Sequence, residues 1–244
     1  QWDVARLFRV FAPVPRPNRF RRPSPSRTSP PLSRVALRRS PSPILAVLLA
    51  FAAACLGGCA GADAGRSGAD EAARLLATVR VVPERVTVLG YDRARFGGWA
   101  KVGACTAREA VLAEWFGNGA PAPECDGRGV IADPYTGDDL EPDGADIDHV
   151  YPLAAAWDFG AHAWDARRRR EFANDVALNL VPVASAVNRE KSDLTPAEWL
   201  PAPRGLRCGY SVRYLRVAVE WELPVSVADW EAMAEACGVR TRSG

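Results

Sequence analysis

The hydrophobic and polar residues of this chain recur with two different periods, and these periods predict helices and short strands in mixed order. Residues 106–116 show the helical period, and Thr106 followed by Glu109 forms the capping-box pattern of a helix start. Similar patterns, most of them preceded by Ser, Thr or Asp, predict helices at residues 71–78, 165–176, 185–194, 195–200 and 226–237. Residues 209–223 fit either a long helix or a strand.

Alternating and β-branched segments predict the strands. Residues 145–153, which read ADIDHVYPL, predict a strand that stops at Pro152, and residues 179–184 predict a second short strand. Residues 117–144 are rich in Gly, Pro and Asp and predict a loop, within which residues 130–140 are expected to form a short hairpin. This mixture of elements predicts an α+β fold.

The first 59 residues are expected to lie outside the folded domain. Residues 1–34 are rich in Arg, Pro and Ser and cannot bury enough apolar surface to fold, so they are interpreted as disordered or as upstream sequence translated in error. Residues 35–59 combine two arginines, an apolar run and small residues, which is typical of an export signal. Residues 60–79 are expected to be a tether, and residues 80–240 to form the folded domain.

The end of the export signal leaves the mature form open. Residues 56–59, LGGC, resemble a bacterial lipobox, which would make Cys59 the lipidated first residue and hold the protein at a membrane surface. Residues 60–62, AGA, are an ordinary cleavage site that would give a freely secreted protein instead, and an uncleaved anchor is the third alternative. The first two alternatives predict an exported protein, either a cell-surface lipoprotein or an extracellular one.

The net charge changes sign when the export segment is left out. Residues 1–58 hold ten of the 31 basic side chains and one of the 29 acidic ones, so the remainder has 21 basic and 28 acidic groups and a formal net charge of −7. An acidic protein has no overall attraction for nucleic acid, so any such binding has to come from a local patch or a metal ion.

Four cysteines remain beyond the export signal, and an even number in an exported chain predicts disulfide bonds. They are Cys105, Cys125, Cys208 and Cys237, and they allow three connectivities. Pairing in sequence order closes the shortest loops. Because no C-x-x-C motif occurs, a structural zinc site is not expected.

Two segments bring together the side chains that suit catalysis. His149, one of two histidines in the chain, follows Asp148 at the end of the first predicted strand. Asn179 begins the second strand, and Asn188 and Lys191 lie three residues apart on the helix that follows. The order D-H, then N, then N-x-x-K resembles the HNH, or ββα-metal, nucleases. The nine-residue step from Asn179 to Asn188 is also similar to the HNH domain of the CRISPR RNA-guided nuclease.

A wider set of motifs makes this resemblance more specific. DIDHxxPLxxxW at residues 146–157 and NxxKxDxxPxEWLP at residues 188–201 resemble a family of exported bacterial HNH endonuclease-like proteins, which is grouped with the C-terminal domain of the Gmr-type restriction endonucleases. The resemblance covers residues 91–237. It implies an HNH ββα-metal core with additional helices and disulfide-stapled loops.

The family implies a role for each residue of the motif. Hydrolysis of a phosphodiester needs a base for the attacking water and a cation for the charge that develops on the phosphate. His149 would be the general base, and Asn179 would orient its loop. Asp148 and Asn188 would hold one Mg²⁺ or Mn²⁺, because carboxylate and amide oxygens are hard ligands that suit these ions.

Three further charged residues complete the expected site. Lys191, together with Arg189, would contact the substrate phosphate, or Lys191 would tie the motif together. In a regular strand Asp148 and His149 point to opposite faces, whereas Asp146 shares the face of Asp148. Asp146 is therefore expected to support the ligands from outside, or to join them if the strand stays regular. A histidine with the ordinary pKa near 6.5 predicts that activity falls below about pH 6.5.

The resulting prediction is a monomeric, metal-dependent HNH endonuclease that hydrolyses DNA with low sequence specificity. One alternative is an RNase or nuclease toxin on the same fold, and another is a catalytically idle surface lipoprotein that only binds its partner. A third is a zinc hydrolase built from Asp146, Asp148 and His149. The complete D-H, N and N-x-x-K set argues against the idle protein, and the lack of a second nearby histidine argues against zinc.

Overall fold

A computed structural model describes residues 59–117 and 125–240, with side chains from residue 67 onward. The helices of these ranges are α1 (Cys59–Thr78), α2 (Ala107–Phe116), α3 (Leu153–Asp158), α4 (Ala166–Ala173), α5 (Ser185–Lys191), α6 (Arg204–Glu220) and α7 (Val227–Ala236). The strands are β1 (Val81–Val82), β2 (Lys101–Val102), β3 (Cys105–Thr106), β4 (Ile131–Ala132), β5 (Asp139–Leu140), β6 (Ala145–His149), β7 (Leu180–Ala184) and β8 (Val225–Ser226). Helices and small sheets therefore occur together, as the α+β prediction requires.

The sheets of the described residues are all two-stranded. β1 pairs with β8 in parallel, whereas β2 with β3, and β4 with β5 in the predicted hairpin, pair in antiparallel fashion. The longest pair joins β6 and β7 in antiparallel register, from Ala145 opposite Ala184 to His149 opposite Leu180. Because this ladder has no interruption, the side chains of β6 alternate between its two faces up to His149.

The local start signals that the sequence shows are confirmed at three helices. Thr106 accepts a hydrogen bond from the amide of Glu109 at 3.3 Å, and the carboxylate of Glu109 accepts one from the amide of Thr106 at 2.7 Å, so α2 has a complete capping box. α4 begins after the cap Asp165, and α7 begins after the cap Ser226. Residues 209–223, which fit a helix or a strand, lie mainly in the helix α6.

Two other predicted helix starts are wrong. Residues 195–200 form a single turn rather than a helix. The amide of Trp199 bonds to the main-chain oxygen of Thr195 at 2.9 Å, but Pro201 follows and disfavours a further helical turn. Ser185 is the first residue of α5 rather than its cap, and its hydroxyl donates to the main-chain oxygen of Gly144 at 3.2 Å.

Helix α1 is longer than the sequence pattern predicts. Residues 60–70, which are expected to be part of a tether, are helical. Ala72 and Leu76 are buried, and Glu71 forms an ion pair with Arg216 of α6 at 2.6 Å. The second half of α1 is therefore part of the folded domain.

Disulfide bonds join Cys105 to Cys125 and Cys208 to Cys237, which confirms the pairing in sequence order. The first bond fixes the start of α2 to the loop that follows this helix, and the second fixes α6 to the end of α7. With sequence separations of 20 and 29 residues, each bond restricts the unfolded chain and stabilises the fold by roughly 3 kcal/mol.

Residues 1–34, predicted to be disordered or translated in error, and residues 35–58 of the predicted export signal lie outside the described residues. Cys59, the predicted lipidation site, is the first residue of α1, and its side chain also lies outside the part of the chain that the structure describes. Across residues 59–117 and 125–240, no helix combines the length and the apolar character needed to cross a membrane.

Two apolar clusters meet at the end of β6. Ile147 belongs to the smaller cluster, which lies under α2, and Val150 and Tyr151 belong to the larger one. The ring of Tyr151 stacks on that of Tyr214 from α6, with their centroids 4.6 Å apart. Buried residues on both sides thus fix the strand end that carries His149.

Candidate active site

Strands β6 and β7 and helix α5 form the strand–strand–helix unit that the motif predicts. Asp146 and Asp148 share one face of β6, because the ladder is regular. Two side chains of α5 meet these carboxylates, with Asn188 against Asp146 and Lys191 against Asp148. The ring of the neighbouring His149 bonds instead to the end of α4.

A buried ion pair occupies one end of this face. The Nζ of Lys191 lies 2.9 Å and 3.0 Å from the two carboxylate oxygens of Asp148, and it also donates to the main-chain oxygen of His149 at 2.9 Å. Tyr135, between β4 and β5, donates its hydroxyl to Asp148 at 2.7 Å. Burial raises the pKa of Asp148, while Lys191 and Tyr135 act in the opposite direction. The side chain of Lys191 is fully buried, so of its two expected roles the geometry favours tying the motif together.

The other end of the face carries a carboxylate and an amide. The Nδ2 of Asn188 donates to Oδ2 of Asp146 at 3.3 Å, and both side chains are half-buried. The sequence prediction paired Asn188 with Asp148 as metal ligands, whereas here Asp148 is bonded to Lys191 and Tyr135. Within the described residues, no group of three or more His, Cys, Asp or Glu side chains is placed to hold a metal. A cation at this face would therefore rest on few protein ligands and on water, as Mg²⁺ commonly does.

His149 lies in a closed environment at the end of β6. Its side chain is mostly buried, with the residue 6% exposed, and its Nε2 lies 2.9 Å from the main-chain oxygen of Ala173 at the end of α4. Burial lowers the pKa of His149 to about 3; the positive charges of Arg93 and Lys191 also lower this pKa, and the bond to Ala173 acts against them. The expectation of an ordinary pKa near 6.5 does not hold for a ring that water barely reaches.

Asn179 holds the two residues that follow His149. Its main-chain oxygen accepts the amide of Val150 at 2.8 Å, and its side-chain oxygen accepts the amide of Tyr151 at 2.8 Å. The side chain of Asn179 thereby continues the β6–β7 pairing for one more residue. Asn179 is fully buried, so it has no path to substrate and acts on His149 through the backbone.

An aromatic ring that is not among the predicted site residues lies beside His149. The ring of Trp99 is parallel to that of His149 within 3°, and the two centroids are 6.3 Å apart. Trp99 comes from a segment distant in sequence from the motif, whereas Tyr135 lies shortly before Asp146 and Ala173 lies between His149 and Asn179. A carbonyl oxygen leaves no signal in a sequence, and an isolated tyrosine or tryptophan leaves only a weak one.

The remaining candidate residue and the second histidine lie elsewhere. Arg189, predicted to contact phosphate, is exposed on α5. His162 bonds through Nδ1 to the main-chain oxygen of Trp157 at 2.8 Å, which fits the structural role that its lack of a motif suggests.

Comparison with known proteins supports a relationship to nucleases. Residues 128–236 match the family described as GmrSD restriction endonucleases, C-terminal domain, and this range contains every motif residue from Asp146 to Lys191. An uncharacterized secreted protein of Arthroderma benhamiae is 34% identical over 148 residues, which are 59% of this chain and 72% of that protein. No solved structure matches the chain.

These similarities bear on the sequence prediction at a coarse level. The matched family is one of restriction endonucleases, as the resemblance indicates, and the relative is secreted, which agrees with the predicted export. The relative comes from a fungus, so proteins of this kind are not confined to bacteria.

Proposed function

We propose that this chain, a member of one family with the secreted fungal protein, is a nuclease with His149 as its general base. The premise is this family relationship together with the domain of the GmrSD C-terminal type. In this reaction water attacks the phosphorus of a phosphodiester, the bond to the leaving oxygen breaks, and the base takes the proton of the water. The finer proposal is an endonuclease of the HNH type that uses Mg²⁺ or Mn²⁺.

The bond between His149 and Ala173 is the observation that carries this proposal. A carbonyl oxygen can only accept, so Nε2 of His149 holds the ring proton and Nδ1 has a free lone pair in the neutral ring. Because the pKa of His149 is lowered to about 3, this neutral form is fully populated at neutral pH. The fold thus presents one defined ring nitrogen, Nδ1, to a proton. The low pKa makes this nitrogen a weak acceptor, and the negative charge of a bound phosphodiester would raise that pKa.

Four buried side chains support the position of His149. Asn179 bonds to the amide of Tyr151 just after the strand, and Lys191 bonds to the main-chain oxygen of His149 itself. Asp148 balances the charge of Lys191, and Tyr135 holds Asp148 from the other side. We assign these residues to positioning the base, since each of them bonds to the backbone at or just after His149 or to a residue that does.

The opposite face of β6 fits the divalent cation that the family implies. Asp146 and Asn188 place a carboxylate and an amide side by side, at half-buried positions that water can reach. We assign the cation to this pair instead of to Asp148 with Asn188, because Asp148 is already neutralised by Lys191. A bound divalent ion would stabilise the charge that develops on the phosphate. In the regular ladder His149 lies on the other face of β6, so the cation and the base act on one phosphate only if the end of β6 rearranges when substrate binds.

We propose DNA cleaved with little sequence specificity as the substrate. No base-reading module accompanies the described domain, and an acidic protein relies on local contacts rather than on its net charge. RNA is the alternative substrate for the same site. The burial of His149 is the observation that favours the second candidate function, a protein that binds its partner without cleaving it.

Cleavage assays with the disulfide-bonded protein test the proposal. The protein is incubated with supercoiled plasmid or structured RNA in Mg²⁺, Mn²⁺ or EDTA, beside the variants His149→Ala and His162→Ala. His162 is the matched control, because it is the second of two histidines and bonds to a main-chain oxygen in the same way. We expect plasmid nicking that EDTA and His149→Ala abolish and that His162→Ala retains.

Each other result has a definite meaning. Cleavage by His149→Ala at the rate of the unchanged protein would make the assignment of the base wrong. Cleavage of RNA alone would replace DNA as the substrate. If the folded protein binds nucleic acid but cuts neither substrate with any ion, the binding protein is the correct interpretation.

A further inference from the structure

Trp99 is an aromatic side chain at the surface, directly beside the proposed general base. Its ring runs parallel to that of His149, yet 37% of the residue is exposed. Tryptophan has one of the largest apolar surfaces of any residue and is mostly buried in folded proteins. The exposed part of the Trp99 ring, beside the proposed base, is therefore accessible to a ligand.

The loop that carries Trp99 is held firmly in place. The side chain of Asn174 accepts the amide of Ala100 at 2.7 Å and donates to the main-chain oxygen of Gly98 at 3.3 Å, so it grips both neighbours of Trp99. Asn174 directly follows Ala173, whose main-chain oxygen orients His149. One helix end thus fixes the ring of Trp99 relative to the base, as a stacking surface requires.

Basic residues precede and follow Trp99 in the sequence. Arg93 lies in the 3₁₀ turn before Trp99, and Lys101 begins β2 just after it, and both side chains are exposed. Arg93 is near enough to His149 for its charge to affect the ring. Arg93 is therefore a positive charge near the proposed base, in a chain whose remainder beyond residue 58 is acidic. Exposed aromatic and basic side chains together are the usual surface for single-stranded nucleic acid.

We propose that Trp99 is a stacking platform for an unpaired nucleobase next to the scissile phosphate, so that single-stranded nucleic acid is the preferred substrate class. This inference rests on the proposed nuclease function and adds the form of the substrate. A base in a duplex is already stacked between its neighbours, so it can use the Trp99 ring only after leaving the stack. The preference concerns pairing and not sequence, because every base has an aromatic face.

Binding to two matched ligands separates stacking from charge. The full chain is titrated in EDTA, where it does not cleave, with a fluorescent oligothymidylate and with an abasic oligomer that has the same number of phosphates. We expect Trp99→Ala to weaken binding of the oligothymidylate by about tenfold or more and to leave the abasic oligomer unchanged, since base stacking is lost only in the first. Trp99→Phe should restore most of the affinity.

Two control variants show how affinity responds to the loss of an apolar side chain and to the loss of a charge. Leu89→Ala removes a more exposed apolar side chain and should change neither affinity. Arg93→Ala removes a charge, so it should weaken the binding of both ligands by the same factor. It should also make the affinity less dependent on salt. Thermal unfolding of Trp99→Ala shows that the variant is folded. If Trp99→Ala does not fold, Trp99→Leu replaces it, because leucine fills part of the space and has no aromatic face.

Cleavage then connects the platform to catalysis. With Mg²⁺ or Mn²⁺, Trp99→Ala should lower kcat/KM for a single strand by about tenfold or more, and that for the matching duplex by less than about threefold. An equal effect on both ligands, or no effect on either, overturns the stacking role while the nuclease function still stands. If the unchanged protein neither binds nor cuts nucleic acid, the proposed function fails and this inference fails with it.

Discussion

Lys191 of α5 donates a hydrogen bond to the main-chain oxygen of His149 at 2.9 Å, while Asp148 balances its charge. A single ammonium group thus ties the helix to both residues at the end of β6. A buried charge of this kind is stable only while all of its partners are present. Lys191 therefore supports the proposed base without reaching the surface, and the fold should be sensitive to its loss.

Lys191→Met removes this ammonium group and keeps much of the side-chain volume. Asp148 would then remain buried with Tyr135 as its one side-chain partner among the contacts seen here, so we expect the free energy of unfolding to fall by about 3–5 kcal/mol. Urea unfolding followed by circular dichroism measures this change. Lys101→Met replaces the other lysine of the chain, which is exposed, and should stay within about 0.5 kcal/mol.

The double variant Asp148→Asn, Lys191→Met tests the reason for that loss. It leaves no unpaired charge in the core, so it should be more stable than Lys191→Met alone. A double variant that is no more stable than Lys191→Met would show that the ion pair is not what makes Lys191 important.

The stability of the metal-free protein should depend on pH through His149. Burial lowers the pKa of the folded ring to about 3, whereas the unfolded ring has a pKa near 6.5. Below pH 6.5 the unfolded chain therefore binds a proton that the folded protein excludes, and this contribution to stability, complete above pH 6.5, is lost as pH falls toward 3. The loss reaches at most about 1.4 kcal/mol per pH unit.

Unfolding in EDTA between pH 7 and 4 measures this slope. Carboxyl groups also titrate in this pH range. The quantity to compare is therefore the difference in slope between the unchanged protein and His149→Gln, which has no titrating ring at this position. His162→Gln is the control for replacing a histidine elsewhere in the domain, since His162 is exposed. Equal slopes for the unchanged protein and His149→Gln would contradict the low pKa of His149.

The same burial predicts how activity responds to acid. A general base must be neutral, and the pKa of about 3 keeps His149 neutral far below pH 6.5. We therefore expect kcat/KM for plasmid cleavage to stay nearly constant from about pH 7 to about pH 5, in contrast to an ordinary histidine base. Circular dichroism at each pH confirms folding. An acid limb with an apparent pKa of 6–7 would mean that the working ring is open to solvent.

The two aspartates of β6 should differ in how they affect cation binding. Asp146 lies beside Asn188, whereas Asp148 is neutralised by Lys191. Calorimetric titration with Mn²⁺ should show binding weakened by about tenfold or more in Asp146→Asn, the loss of roughly 1.4 kcal/mol or more. Asp148→Asn should change it much less. The exposed Asp143→Asn, a few residues before β6, is the matched control. The reverse order would restore Asp148 as the ligand.

Local signals account for the part of the fold that the sequence predicts well. The capping residues Thr106, Asp165 and Ser226 act on amides within three residues of themselves, so their patterns mark the starts of α2, α4 and α7. At residues 195–200 the local bonds of a helix start also form, with Glu198 accepting from the amide of Thr195 at 3.0 Å, but Pro201 follows and no helix develops. A start signal therefore marks a first turn, and the residues that follow decide whether a helix continues.

The candidate site is predictable in its residues and less so in its contacts. The motif identifies Asp148, His149 and Asn188, and strand alternation predicts that Asp146 joins Asp148 on the ligand face if the strand is regular. Which of them meets Asn188 depends on the register of β6, β7 and α5, and the sequence does not state that register. The low pKa of His149 likewise follows from burial under remote segments.

Asn179 provides the sharpest test of indirect support for the base, because it is fully buried yet bonds to the residue pair that follows His149. Asn179→Ala leaves the buried amide of Tyr151 without its partner, so we expect the free energy of unfolding to fall by about 1–3 kcal/mol. If the residue acts only by positioning, kcat should fall while KM stays nearly constant, since no contact with substrate is removed. Asn179→Asp keeps the accepting oxygen and should recover much of kcat. A rise in KM with an unchanged kcat would instead place Asn179 in contact with the substrate.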